Sequence, residues 1–478
     1  MSDLKTKYET IIGLEVHAEL NTKSKIYCSC KNSFEPEVNS QVCPVCMGFP
    51  GTLPTLNETV VDYAIKMGHA LSCNINSVSK QDRKNYFYPD LPKAYQISQS
   101  EVPLCEGGKL SFLVGGEEKT VRITRIHIEE DAGKLLHSDN FGGSLCDYNR
   151  CGVPLIEIVS EPDLRSGEEA NVYLDTIKAI LQYLDISDCK MQEGSIRCDV
   201  NVSVRPFGQK EFGTRTEMKN VNSFSAAVRG IKFEEKRQIE ILENGGKIEQ
   251  ETRRWDDVAG ESVSMRSKEN SQDYRYFPEP DLKTIVVSEE RINDLKSTIP
   301  ELPNVKILRY VNEFEFPYID AVTIANDTSL AKYFDECASL NLCSKKGIKN
   351  WLLGDISAYR NKGIPLENLT EQRLCELIAF IEKGDISNST GKKVFELILE
   401  QNKSPEEIIK EQGFIQIADT GFIESLVDEV FAAEQKSVDD YKRGKTNALG
   451  YLVGQCMKKS LGKAKPDLVK AEVLRRLT

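Results

Sequence analysis

Residues able to do chemistry concentrate in a few segments. In Thr10-Ile-Ile-Gly-Leu-Glu-Val-His-Ala-Glu-Leu20, strand alternation puts Ile11, Gly13, Glu15, His17 and Glu19 on one side and Ile12, Leu14, Val16, Ala18 and Leu20 on the other. Taken alone, two carboxylates and an imidazole backed by aliphatics read at least as well as the solvated side of a sheet. A second alternating run, Val121–Glu129, ends in the dense patch His127-Ile-Glu-Glu-Asp131. A third, Pro154-Leu-Ile-Glu-Ile-Val-Ser-Glu-Pro162, sets Glu157 in an apolar run, where a carboxylate is costly to bury unless paired or metal-bound. A fourth, Ser195–Val204, aligns Arg197, Asp199, Asn201 and Ser203. Carboxylates with one or two imidazoles from several strands suit a hard divalent cation, Mg²⁺ or Mn²⁺. Such an ion completes its shell with water and substrate phosphates, which points toward nucleotide chemistry.

The cysteines offer a different chemistry. Of 14, four form Cys28-x-Cys30 and Cys43-Pro-Val-Cys46. Two close pairs of thiolates make a tetrahedral zinc set with no open position, hence a structural one; the alternative is four free thiols. Lys84-Asn-Tyr-Phe-Tyr-Pro-Asp90-Leu-Pro-Lys93 and Asp273-Tyr-Arg-Tyr-Phe-Pro-Glu-Pro280 are too aromatic and proline-broken for helix or core. They read as packed surface loops or as binding loops, with Lys for phosphate or carboxylate and Tyr for stacking. No glycine-cradled phosphate loop is present: Gly444-Lys-Thr446 has Asp439 where the first glycine belongs. ATP, if bound, binds on the sheet.

The elements that must position these residues follow from pattern and composition. The 478 residues carry 40% hydrophobic and 28% charged side chains, which excludes wholesale disorder and predicts two to four domains. No run approaches the roughly 18 apolar residues of a membrane span, and Met-Ser-Asp-Leu-Lys lacks a signal core. A cytoplasmic protein is expected. Helical runs at Glu58–Leu71, Glu168–Leu184 and Ala226–Asn244 lie between the strands without a βαβ rhythm, so the fold class is α+β with a mostly antiparallel sheet. After Ile299-Pro-Glu-Leu-Pro303 helices dominate, and Ser404-Pro-Glu-Glu407 forms a capping box. One boundary is placed near residue 300 and a softer one near 410. The net charge is −12, yet Lys436–Thr478 holds eleven Lys/Arg against four Asp/Glu. That basic tail, with Lys442, Arg443, Lys445, Lys458, Lys459, Lys463 and Lys465, reads either as a solvated helical face or as a contact for RNA phosphates.

Taken in order, these segments resemble the B subunits of the tRNA-dependent (aspartyl/glutamyl-tRNA(Asn/Gln)) amidotransferases. The resemblance rests on Ile12–Leu20, Lys84–Asp90, Lys93-Ala-Tyr-Gln-Ile-Ser98, His127–Lys134, Pro154–Pro162 and Asp273–Pro280, and continues through Tyr441-Lys-x-Gly-Lys and Gly450-x-Leu-Val-Gly-Gln455. It implies a cradle domain over 1–300 with a glutamine-synthetase-like core and a zinc knuckle at about 28–46. A helical domain over 301–410 and a tRNA-holding basic tail over 411–478 would follow. The implied reaction is two-step. ATP phosphorylates the side-chain carboxylate of misacylated Glu-tRNA(Gln) or Asp-tRNA(Asn), and ammonia displaces the phosphate. A glutaminase A subunit would supply that ammonia through a tunnel, with a C subunit as third partner.

The resemblance also implies roles. His17, Glu130 and Glu157 are the expected Mg²⁺ ligands, with Glu15, Glu129 and Asp199 completing the site directly, at a second metal, or one step removed. Glu15, Lys84, Glu129 and Glu130 are the expected catalytic groups, with Lys84 contacting phosphate or the activated carboxylate. Lys84, Tyr86, Tyr88, Lys93 and Asp199 are expected around the cofactor, pocket or tunnel. Cofactors are then ATP, Mg²⁺ and a zinc on Cys28, Cys30, Cys43 and Cys46; some relatives lack these cysteines, so the zinc supports the fold. Alternation raises one difficulty, because Glu130 lies opposite His127 and Glu129 if the strand persists, so a turn must redirect one of them. Two other readings are a non-catalytic tRNA-holding scaffold and a free-standing ligase acting on small acids.

Overall fold

The period-two segments are strands of a single nine-stranded sheet in the computed structural model, which describes residues 7–34, 36–138, 142–267, 274–415, 419–460 and 464–477. In chain order the strands are β1 (Tyr8–Glu19), β2 (Asn74–Ile75), β3 (Cys105–Val114), β4 (Glu117–Glu130), β5 (Pro154–Ser160), β6 (Ile196–Pro206), β7 (Thr216–Val221), β8 (Glu251–Asp256) and β9 (Glu261–Ser267). They lie in the order β9-β8-β7-β6-β1-β5-β4-β3-β2, and only β7 and β8 run parallel. With helices packed on the sheet, the fold is α+β and mostly antiparallel, as the patterning requires.

Alternation decides the faces. Ile12, Leu14, Val16 and Ala18 of β1 are fully buried, with Ile126 and Ile128 of β4, Ile156 and Ile158 of β5, and Val200 and Val202 of β6 beside them. Each such side chain taken from water contributes roughly 2 kcal/mol. Three helices supply the facing layer: α1 (Glu58–Ala70), α2 (Gly167–Tyr183) and α3 (Phe224–Glu243). Each starts where a polar side chain caps a free amide: Asn57 accepts from Thr59 N, Ser166 from Glu169 N and Ser223 from Ala226 N. The opposite face of β1, carrying Glu15, His17 and Glu19, is thereby left for polar chemistry.

The chain divides into two compact units, Met1–Arg309 and Tyr310–Thr478. The second is helical from Tyr318–Ala325 to Pro466–Leu477. In it, Ser404 accepts from the Glu407 amide while Glu407 accepts from the Ser404 amide at 2.9 Å, the expected capping box. Toward its end, Ile423, Val427, Val430, Leu452, Cys456 and Val469 form a small core of their own. Among the described residues no helix is long and apolar enough to cross a membrane.

Candidate active site and metal centres

Strand register builds the site. His17 of β1 pairs with Glu157 of β5 on one side and Arg197 of β6 on the other, and Glu157 pairs with His127 of β4. A row Arg197–His17–Glu157–His127 thus crosses four strands on the polar face. Glu129, two residues beyond His127, joins the same face. Glu157 Oε2 lies 3.4 Å from His17 Nε2 and 3.1 Å from His127 Nε2; Glu129 lies 3.7 Å from each imidazole. One ligand atom each from His17, Glu129 and Glu157 lies within 4.8 Å of the others, a spacing that could hold a metal ion.

The electrostatics fit that reading. Burial opposes the charged imidazoles, but Glu157 and Glu129 reverse this, raising His17 and pushing His127 up to about 9. Burial likewise opposes the Glu157 carboxylate, and the two imidazoles hold it well below its usual range. The imidazoles and carboxylates thus favour one another's charged forms. His127 Nδ1 is buried with no hydrogen-bond partner among the described residues, another sign of a group arranged for something besides packing. The role of His127 comes from a pairing between β4 and β5, segments about thirty residues apart, which cross-strand register alone reveals.

A second acidic group lies along the same face. Glu15 and Asp199 are direct cross-strand partners, and Glu217 of β7 brings a carboxylate oxygen within 4.8 Å of theirs. Asn201 donates to Glu15 at 2.9 Å, and Lys219 reaches Asp199 at 2.8 Å and Glu217 at 3.0 Å. Burial, then Glu157, lifts the Glu15 carboxyl above its usual value. Glu217 and Lys219 sit in Thr216-Glu-Met-Lys-Asn-Val221, whose alternation Glu-x-Lys is the only signal for them in the sequence.

Lys84 lies in a short strand, Asp82–Asn85, paired with Tyr95–Ser98. Its ammonium is 4.9 Å from the Tyr274 ring and 5.8 Å from Tyr86. Burial pushes it down, but Glu129, Tyr276, Tyr274 and Glu157 raise it on balance, while burial and then Glu129 raise Tyr86, so both belong to the neighbourhood of the cluster. Tyr88 is half exposed and no described contact ties it to the acids. Asp273, which opens the second aromatic loop, lies outside the described residues.

Glu130 is the departure from expectation. β4 stays regular to its last residue, so no turn redirects Glu130, and its carboxylate leaves the His17–Glu157 group. It pairs instead with Lys93 and accepts from the Ile97 amide at 2.9 Å. Glu129, which the resemblance expected to complete the site, is the acid that stands beside the imidazoles.

The four cysteines converge as their spacing requires, with all four Sγ atoms within 4.8 Å of one another. A tetrahedral Zn–S bond of about 2.3 Å puts sulfurs about 3.8 Å apart, so the set fits such an ion. Hydrogen bonding from Cys28, with help from the Cys43 amide and Lys25, overcomes burial and draws Cys46 down to about 5. The buried Lys25 ammonium is 3.8 Å from Cys46 Sγ, a cation placed to offset excess thiolate charge. In the second unit, Lys442, Arg443, Lys445, Lys458 and Lys459 are all exposed; Lys445 pairs with Asp440 and Lys459 with Glu429, and Lys463 lies outside the described residues.

Comparison with known proteins matches this organisation. A family model described as the GatB/GatE catalytic domain matches residues 10–293, and one described as the GatB domain matches residues 332–477. The B subunit of the aspartyl/glutamyl-tRNA(Asn/Gln) amidotransferase of Caldicellulosiruptor bescii is 55% identical over 475 residues, 98% of either chain. That of Thermoanaerobacter pseudethanolicus is 53% identical over 465 residues, 97% of this chain and 98% of the relative. That of Clostridium botulinum is 50% identical over 466 residues, 97% of either chain. At half identity or better over nearly its whole length, the chain belongs to the B-subunit family of the aspartyl/glutamyl-tRNA(Asn/Gln) amidotransferases.

Proposed function

We propose that this chain uses ATP to activate the side-chain carboxylate of Glu-tRNA(Gln), Asp-tRNA(Asn) or both and joins it to ammonia. It would work in the cytoplasm with a glutaminase A subunit and a C subunit. The observation that carries this is the cluster of His17, Glu129 and Glu157, held at metal-ligand spacing on adjacent strands, with His127 3.1 Å from Glu157.

Bound Mg²⁺ would neutralise charge on the transferring phosphoryl group. His17, Glu129 and Glu157 would hold one ion, and Glu15, Asp199 and Glu217 are the set for a second. Lys84 offers an ammonium to the phosphoryl oxygens. In the first step a carboxylate oxygen attacks the γ-phosphorus and the bond to ADP breaks. In the second, ammonia attacks the acyl carbon of the acyl phosphate, phosphate departs, and it takes the proton that nitrogen sheds. We assign Lys93 and Glu130, on the other side of β4, to the path by which ammonia arrives.

A cavity of about 210 Å³ beside Glu15 suits the nucleotide base. Its walls include Gly13, Pro162, Phe212 and Arg215. Gly213 brings Phe212 there because a Cβ at that position would overlap the Val204 carbonyl oxygen. The thiol knuckle would take one structural zinc, and the exposed lysines near the end of the chain, from about residue 411 onward, would contact tRNA phosphates.

The test is amide formation by the purified complex with ATP, Mg²⁺ and each misacylated tRNA. Glu157→Gln should lower it about a hundredfold or more while glutamine hydrolysis survives. Unchanged amide formation would leave the chain only a tRNA-holding role.

A further inference from the structure

The cysteine knuckle and the Lys93–Glu130 pair share a wall. A cavity of about 190 Å³ is bounded by Cys28, Cys46, Gly48 and Tyr27 on the knuckle side and by Lys93 and Glu130 on the other. The turn that carries Cys43 and Cys46 is closed by Met47 N to Cys43 O at 3.0 Å, Gly48 N to Val45 O at 3.0 Å and Phe49 N to Pro44 O at 2.8 Å. It delivers Gly48 with φ of +66°, the left-handed region that favours glycine. A Cβ at position 48 would overlap Lys93 Cγ and come within 3.2 Å of Lys93 Cα. The knuckle backbone therefore lies directly on the Lys93 side chain.

Tyr27, the residue before Cys28, holds Lys93 from another side. Its ring centre is 5.8 Å from the Lys93 ammonium, and its hydroxyl is buried with no partner among the described residues. Tyr95 stands 5.3 Å away, and Glu130 closes the enclosure by ion pairing. Lys93 follows Pro92 and precedes Ala94 at φ of +60°, a backbone with little freedom to shift in compensation. Two of the four supports of this lysine thus flank the segment that the thiols tie together.

We propose that metal binding at Cys28, Cys30, Cys43 and Cys46 fixes the position of Lys93 against Glu130, through Gly48 and Tyr27, so that the knuckle is a positioning element for that pair and not only a fold support. This rests on the reading that the thiols take zinc. A filled site stiffens the turn before Gly48; an empty one releases four thiols and lets the turn draw away from Lys93.

The experiment uses the assembled complex and follows acylation of individual lysines by a water-soluble active ester, read by peptide mass spectrometry alongside zinc content. Cys30→Ser should lose zinc and raise Lys93 labelling about tenfold, as expected when a local contact opens. Lysines of the second unit should keep their rates. Gly48→Ala should keep its zinc and still expose Lys93, because it breaks the contact and not the thiol set. Zinc-loaded and zinc-free proteins with equal Lys93 labelling would overturn the coupling. Equal labelling in Gly48→Ala and wild type would overturn the contact as its route. Absence of zinc from the wild-type complex would instead remove the reading beneath it, a result seen in the metal analysis before any labelling.

Discussion

Glu129 and Glu130 are consecutive in β4 and serve opposite sides of it: Glu129 stands 3.7 Å from His17 and His127, whereas Glu130 pairs with Lys93. Two acids that look interchangeable in sequence are therefore held in separate surroundings. Glu129→Gln should weaken Mn²⁺ binding, measured by the loss of the free-ion electron spin resonance signal, by about tenfold or more. Glu130→Gln should leave it within about twofold. Equal losses in both variants would contradict the division of β4 into two faces.

The thiol knuckle predicts a stoichiometry. Protein prepared without chelator should contain about one zinc per chain. Cys43→Ser should abolish it and lower the thermal midpoint by more than about 5 °C, because structural metal binding adds directly to folding free energy. A metal-free protein of undiminished stability would refute the assignment.

Exposed Lys458 and Lys459 end one helix of the second unit, with Lys459 reaching Glu429 at 2.7 Å. Reversing both charges should weaken tRNA binding. It should also reduce the slope of log affinity against log salt by about one per lost phosphate contact. An unchanged slope would mean that these charges only solubilise the helix.

Glu19, on the polar face beyond His17, supplies a pH dependence. Burial, then the Asp131 carboxylate, pushes Glu19 up to about 8, while Arg197 and Arg150 keep Asp131 ionised. Raised in the folded state, Glu19 binds its proton more tightly there than in the unfolded chain. Its contribution is fully present below the unfolded carboxyl range and is lost as pH rises toward 8. With divalent cations removed, thermal unfolding should show Glu19→Gln matching wild type near pH 4 and exceeding it near pH 8.5. A constant difference across that range would exclude Glu19 as the source.

What could be read from the sequence was what local periodicity encodes. β1, β4 and β6 alternate cleanly because one face meets helices and the other does not, so the side on which Glu15, His17 and Asp199 stand followed directly. The cysteine set was legible from spacing alone. Cross-strand register was not: His127 meets Glu157, and Glu217 meets Glu15 and Asp199, through pairings between distant segments that no local pattern records. β8, Glu-Thr-Arg-Arg-Trp-Asp, hid its strand character behind charge, since only Trp255 in it is buried. Glu130 shows the strength of the local rule, because the alternation of β4 sets it apart from His127 and Glu129 and against Lys93.

The central place of β1 bears on how the chain is made. This strand leaves the ribosome well ahead of its two neighbours, because Pro154–Ser160 and Ile196–Pro206 follow only about 135 and 180 residues later. At usual translation speeds the first gap alone is roughly 7 to 27 seconds, during which an Ile-, Leu- and Val-rich segment has two unpaired edges. The finished sheet removes that exposure, because both edges of β1 are paired in it.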